Sequence, residues 1–234
     1  VKDIYSGSDS GSPSYLTAIG NTIYFSANDG THGHELWKSD GTSSGTVMVK
    51  NLGSNQWGST PSHLTAIGNT LFFEANGELH TSDGTASGTN MVKDINPSGN
   101  GVGYSSLPHM TAIGNTLFFC ANDGTNGTEL WTSDGTASGT NMVKDTATYT
   151  GGQAYATGDN CGVLYQLGNE VYWRGKTNTN PNLPMELWKS DGTASGTVHV
   201  TGPNPANNEF GSLGNTLFFV ETTSSPSSMQ LCQT

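Results

Sequence analysis

Short runs of β-branched and aromatic residues alternate with clusters of Gly, Ser, Thr, Asn and Asp along the chain, and no stretch sustains a 3.6-residue apolar period. One passage reads YLTAI–GN–TIYFSA–NDGTHGH–ELWKSD–GTSSG–TVMVKNL, which is four candidate strands separated by turn chemistry. Gly-Asn between LTAI and TIYF is a two-residue hairpin signal. In DGTSSG the Asp side chain is placed to accept from the N–H groups that follow it. The pattern predicts an all-β protein.

The same phrase recurs. SDGT stands at residues 39–42, 82–85, 133–136 and 190–193, and a Gly-Asn marker has its glycine at Gly20, Gly68, Gly114, Gly168 and Gly214. Five copies in 234 residues give about 47 residues each, a length that suits one four-stranded propeller blade. The expected fold is a single five-bladed β-propeller of antiparallel blades, spanning about 5–52, 53–95, 96–146, 147–202 and 203–234 plus 1–4. The fifth copy stops at MQLCQT, which aligns with HELWKS and lacks an outer strand. The chain opens on VKDI, the letters that close other copies. Val1–Ile4 are therefore expected to pair with the strand containing Met229–Gln233, completing the last blade and removing an open edge.

Charge narrows the function classes. Eight basic against 19 acidic residues give a net charge of −11, the wrong sign for nucleic acid or an anionic membrane surface. No apolar run reaches membrane-spanning length. A start at Val1 without Met reads as a mature or trimmed product, and a Ser/Thr/Asn-rich exterior poor in Lys and Arg suits a secreted, extracellular protein. No cofactor is expected.

In a meander blade the Gly-Asn and SDGT turns lie at one end, and they hardly vary between copies. Their Asp residues are read as turn caps, because one carboxylate among hydroxyls makes a poor hard-cation cage. The other end carries loops that differ between copies, where binding function concentrates on a rigid scaffold. Tyr15, Trp57, Tyr104, Tyr149 and Tyr155 fall in or beside those loops, and an aromatic ring among Asn, Ser and Gly suits a sugar's C–H face and hydroxyl rim. His63, His109 and Glu209 occupy, with Tyr15 and Val163, equivalent positions before the innermost strand. That mixed set argues against symmetric metal coordination, and His32 with His34 supplies two ligands without a third. The Trp of ELW (Trp37, Trp131, Trp188), replaced by His80 and Cys232 in two copies, is expected to fill space between blades.

Of three cysteines, Cys120 and Cys161 align to the variable end of neighbouring blades and form a candidate disulfide; Cys161 with Cys232 is the rival pairing. Asn126 heads the sequon Asn126-Gly127-Thr128, expected on an exposed loop.

The phrase ELWKSDGTASGT, with its copies ELWTSDGTASGT and ELHTSDGTASGT, resembles the ELWxxDGT repeat family of secreted proteins. The resemblance covers nearly the whole chain and implies a propeller-like fold and export, but no catalytic residue. In size and layout alone the chain is also similar to the five-bladed tachylectin-2-like lectins.

The reading that follows is a non-catalytic, multivalent carbohydrate-binding protein whose partners are glycans or glycoproteins. The alternatives are a structural or adhesive scaffold, a carrier of a small apolar ligand, and a five-bladed glycosidase. The last needs two carboxylates at a set separation, and Glu74, Asp123, Glu209 and Glu221 are the candidates, but no motif singles out a pair.

Overall fold

A computed structural model describes residues 1–102, 110–146, 161–175, 185–201, 205–224 and 227–233, with residues 222–224 and 227–233 described as backbone. Among the described residues every regular element is a β-strand. The chain divides into two compact units, Val1–Tyr104 with Asp134–Ala137, and Ser105–Ser133 with Ser138–Thr234.

Unit one contains two four-stranded antiparallel meanders. The first runs β1 (Ser14–Ile19), β2 (Thr22–Asn28), β3 (His34–Ser39), β4 (Val47–Lys50), and the second β5 (Ser62–Ile67), β6 (Thr70–Ala75), β7 (Glu78–Ser82), β8 (Asn90–Lys93). Unit two contains two more of the same order: β9 (Met110–Ile113), β10 (Thr116–Asn122), β11 (Thr128–Ser133), β12 (Asn141–Lys144), then β13 (Tyr165–Leu167), β14 (Glu170–Gly175), β15 (Glu186–Ser190), β16 (Val198–His199). A fifth sheet has three strands, β17 (Pro205–Leu213), β18 (Thr216–Ser224) and β19 (Ser227–Gln233).

Each Gly-Asn marker closes the two-residue hairpin expected of it. Ile19 pairs with Thr22 across Gly20-Asn21, and the five glycines have φ between 57° and 60°, a region open to glycine at little cost. The SDGT turns are equally uniform. Asp40 Oδ1 accepts from Thr42 N at 2.9 Å and Thr42 Oγ1 at 2.7 Å, and the Ser39 and Thr46 hydroxyls bond at 2.7 Å beneath the turn. The Ser–Thr bond recurs at 2.7 Å in Ser82–Thr89, Ser133–Thr140 and Ser190–Thr197. Turn capping thus accounts for these Asp residues.

The Thr hydroxyl and N–H bonds hold Asp40, Asp83, Asp134 and Asp191 below the ordinary Asp value of 3.8. A depressed folded-state pKa contributes stability above the unfolded value that is lost as pH falls through the folded one. Melting temperature is therefore expected to drop below about pH 3.8. The drop should be shallower in a variant with all four Asp→Asn, and equal slopes for the two proteins would contradict the assignment.

Apolar residues of consecutive sheets pack face to face within each unit. In unit one Tyr24, Leu36 and Val49 of the first sheet meet Leu71, Phe73 and Ala75 of the second. In unit two Phe118 and Leu130 meet Leu164, Val171, Trp173 and Trp188, and Tyr172 and Leu187 meet Leu217 and Phe219. Strands β2, β6, β10 and β14 are buried on both faces, so they read as continuous apolar runs rather than an alternation. Trp37, Trp131, Trp188 and His80 are all buried, as interior fillers should be.

Residues 1–4 depart from expectation. They belong to no strand, and the fifth sheet has three strands, not four, among the described residues. Side-chain docking on the first sheet positions them instead of a backbone ladder. Lys2 Nζ donates to Thr46 O at 3.0 Å and sits 5.8 Å from the Trp37 ring centroid, and Ile4 packs against the Phe25–Ala27–Trp37 cluster. The end of the first copy treats the second sheet alike: Lys50 Nζ donates to Thr89 O at 2.6 Å, and Leu52 packs against the cluster containing Phe73 and Ala75. Lys144 to Thr197 O, at 2.8 Å, repeats the contact in unit two. VKDI therefore engages the sheet that follows it as VKNL does. Deleting residues 1–4 is expected to cost about 2 kcal/mol, from the lost Ile4 burial and Lys2 bond. A thermal melt unchanged by the deletion would exclude this docking.

Candidate functional site

The glutamate of ELW organises the loops at the variable end. Glu35, in β3, is fully buried, and its carboxylate reaches the segment that connects β4 to β5. Oε1 accepts from Gly53 N at 2.8 Å and Ser59 N at 3.1 Å; Oε2 accepts from Leu52 N at 3.1 Å and Ser59 Oγ at 2.5 Å. Four donors on one carboxylate compensate its burial. Glu78 in β7 grips the next connection through Ile95 N at 3.0 Å, Asn96 N at 3.4 Å and Gly101 N at 2.8 Å, and Glu129 in β11 accepts from Thr146 N and Oγ1. Burial, aided by Asp94, raises the Glu78 pKa despite those three N–H donors, which pull the other way. A raised carboxyl pKa contributes stability below the unfolded value and loses it as pH rises through the folded one, the opposite sign to the SDGT aspartates.

Trp57 is carried on the loop that Glu35 grips. Its side chain is 71% exposed although its backbone is fixed. Trp57 N donates to Asn55 Oδ1 at 2.8 Å, His34 N donates to Trp57 O at 2.9 Å, and Thr60 N donates to His34 O at 3.0 Å. Gly33 and Gly58 cross backbone to backbone here with φ of 73° and 74°, and a Cβ on Gly33 would lie 2.1 Å from the Trp57 carbonyl carbon. Only glycine allows that approach. The result is a large aromatic surface held open by a closed hydrogen-bond frame.

The β2–β3 loop against which this frame rests is also built on a carboxylate. Asp29 Oδ1 accepts from Thr31 N and His32 N, and its Oδ2 lies 2.7 Å from His32 Nδ1. Burial pushes Asp29 up, but the His32 ring and the two N–H donors outweigh it and hold the carboxyl below its ordinary range. His32 thus spends one ring nitrogen within its own loop. Among the described residues no three His, Cys, Asp or Glu side chains gather as a metal site requires.

The β10–β11 loop repeats this design with Asn126 in place of His32. Asp123 Oδ1 accepts from Thr125 N and Asn126 N, and Asn126 Nδ2 donates to Asp123 Oδ2 at 2.7 Å. Asn126 is half-buried rather than exposed, because its amide closes the loop. The same bonds make Asp123 a structural carboxylate.

Tyr15 and His63 come together, with ring centroids 5.7 Å apart. Behind His63, Ser62 Oγ lies 3.1 Å from Nδ1 and donates to Glu74 Oε2. Glu209, in unit two, is exposed and accepts from Asn207 Nδ2 at 2.9 Å. Tyr104, His109, Tyr149 and Tyr155 lie outside the described residues. Cys120 and Cys161 form a disulfide in unit two, so the first of the two pairings is the one present. The residues sequence reasoning passed over are the ELW glutamates. Their signal was an ionisable residue recurring at one register, directly before two positions that are buried.

No family model and no curated protein matches the chain. Among solved structures it is similar to a puromycin hydrolase variant complexed with PGG, at 15% identity over 97% of this chain and 38% of that one, with a TM-score of 0.50. TolB from Acinetobacter baumannii is similar at 9% identity over 90% and 48%, with a TM-score of 0.49. An endo-1,4-beta-xylanase from Bacteroides thetaiotaomicron follows at 13% identity over 95% and 88%, with a TM-score of 0.39. The chain spans less than half the length of the first two. At 15% identity the likeness to the puromycin hydrolase is one of fold.

Proposed function

We propose that this protein is a non-catalytic, extracellular five-bladed β-propeller of the ELWxxDGT type that binds carbohydrate through loops anchored by buried glutamates. The single observation that carries the ligand reading is Trp57, 71% exposed on the loop fixed by Glu35. An indole carried on a fixed backbone offers a flat face for the C–H side of a sugar, while Asn55 and the Asp29–His32 pair supply polar neighbours along the same interlocked loops. Repetition of the anchor at Glu78 and Glu129 supports more than one site per chain, and weak sites in series gain avidity.

Supporting the ring reading, Lys2 and Ile4 dock on the first sheet through the same kind of contacts that Lys50 and Leu52 make on the second. The disulfide supports an oxidising, extracellular setting. Binding is favoured over glycoside hydrolysis because Asp123 is occupied by its own loop and Glu74 by Ser62.

Trp57→Ala is expected to weaken glycan binding on an array by about 2 kcal/mol, roughly thirtyfold, with the melting temperature unchanged. Equal binding by the variant sinks the Trp57 reading. Turnover of a chromogenic glycoside that Glu209→Gln abolishes would replace it with the glycosidase.

A further inference from the structure

Where β1 and β5 begin, the backbone leaves the ladder in the same way. Register slips between Ser14 and Thr17 and between Ser62 and Thr65. Within those slips Tyr15 and His63 both stand at φ 54°, and Ser12 and Thr60 just before them at 45° and 50°. Bulky side chains are rare in the left-handed region and persist there only when the surrounding structure enforces it; such strain gathers at functional positions. Bulges are also the device by which a strand re-aims a side chain.

What the two bulges present is asymmetric. Glu74 pairs with Ser62 across β5 and β6, where the first sheet has Ser26 opposite Ser14. The Glu74 carboxylate accepts from Ser62 Oγ and lies 3.5 Å from His63 Nδ1, so Ser62, His63 and Glu74 form one polar wall. The His63 and Glu74 side chains are only 9% and 14% exposed. Tyr15, whose ring meets that of His63, is 48% exposed, and Leu16, next to it in the chain, is 62% exposed. A recessed polar wall thus adjoins an open apolar one, and the Tyr15 ring is tilted 52° to the imidazole. A glycan ring has the matching chemistry, with a C–H face for the apolar wall and hydroxyls at its rim for the polar one.

From this geometry we propose a second binding site, formed by Tyr15, Leu16 and His63 with Ser62 and Glu74 behind them, that takes a pyranose ring. Its C–H face rests on Tyr15 and Leu16, and a hydroxyl meets the polar wall of Ser62, His63 and Glu74. The site uses none of the residues of the Trp57 loop, so it stands or falls separately, and with that loop it makes unit one bivalent.

The test is a titration of the full chain with methyl β-D-glucopyranoside, whose equatorial hydroxyls leave both ring faces lined with C–H. Ring resonances of His63 and Tyr15 are followed by NMR while tryptophan fluorescence reads the Trp57 loop in parallel. The expected result is a saturable shift of both rings with a Kd on the order of 1 mM, weakened about tenfold or more by Tyr15→Ala. That variant removes an exposed side chain, so its fold and its fluorescence response are expected to be retained. Absence of a saturable shift, or a His63 shift that survives Tyr15→Ala unchanged, overturns the site. A fluorescence response without ring shifts overturns this site alone and leaves the Trp57 reading in place.

Discussion

Replacing Glu35 with alanine is expected to destabilise the protein by about 4 kcal/mol and to abolish glycan binding at Trp57. The carboxylate is fully buried and serves three N–H groups and one hydroxyl. Truncation strands those donors, of which the Ser59 N–H and hydroxyl are fully buried. Every buried donor left unpaired costs about 1–3 kcal/mol, and local fraying of the loop relieves part of the total. Fraying is what removes binding, since the frame that holds Trp57 open runs through Ser59 and His34. Glu35→Gln separates the two effects: it keeps an acceptor for Gly53 and Ser59 but turns an N–H group toward Leu52 N. Its expected place lies between wild type and alanine in a chemical melt. A Glu35→Ala protein that melts and binds like wild type would exclude the anchor.

Cys120→Ser with Cys161→Ser is expected to cost a similar amount, about 4 kcal/mol, because the bridge closes a loop across 41 residues of sequence. Both sulfurs are buried among Leu164, Trp173 and Trp188, so the variant also introduces hydroxyls into an apolar cluster. The two contributions are told apart by melting the wild type with and without reductant. If the bridge carries the effect, reduced wild type should melt close to the double serine variant. If reductant leaves the wild type unchanged, the variant's loss comes from packing, and the cross-link is not what holds that region.

The strands were legible in the sequence because their boundaries are written in turn chemistry. Gly-Asn and SDGT each demand a particular backbone, and the apolar runs between them are too short for helices. The Ser–Thr and Asp–Thr bonds then reproduce the same turn in copy after copy. The disulfide pairing was legible to the extent that the repeat aligned Cys120 and Cys161 at one end of neighbouring sheets.

Other features were hidden for physical reasons. Glu35 acts on backbone N–H groups, and the residues that own them, Leu52 and Gly53, record nothing of the bond in their side chains. Tyr15 and His63 adopt a conformation usually announced by Gly or Asn, so their letters point away from it. Asn126 reads as an exposed sequon until its amide is seen to close the loop on Asp123. Val1–Ile4 share their letters with strands, yet it is Lys2 and Ile4, two side-chain contacts, that position them.

The glutamate grip also separates what a loop says from whether the protein folds. Glu35 takes hold 17 and 18 residues ahead, at Leu52 and Gly53, and again 24 ahead at Ser59. Glu78 takes hold at the same 17 and 18, at Ile95 and Asn96, but closes 23 ahead at Gly101. One clasp thus accepts connections of different sequence and of two lengths, because most of its bonds go to main-chain N–H groups. Between the two fixings a new surface can be written while the strands on either side stay as they are, provided glycine is kept at 58, where the connection crosses Gly33.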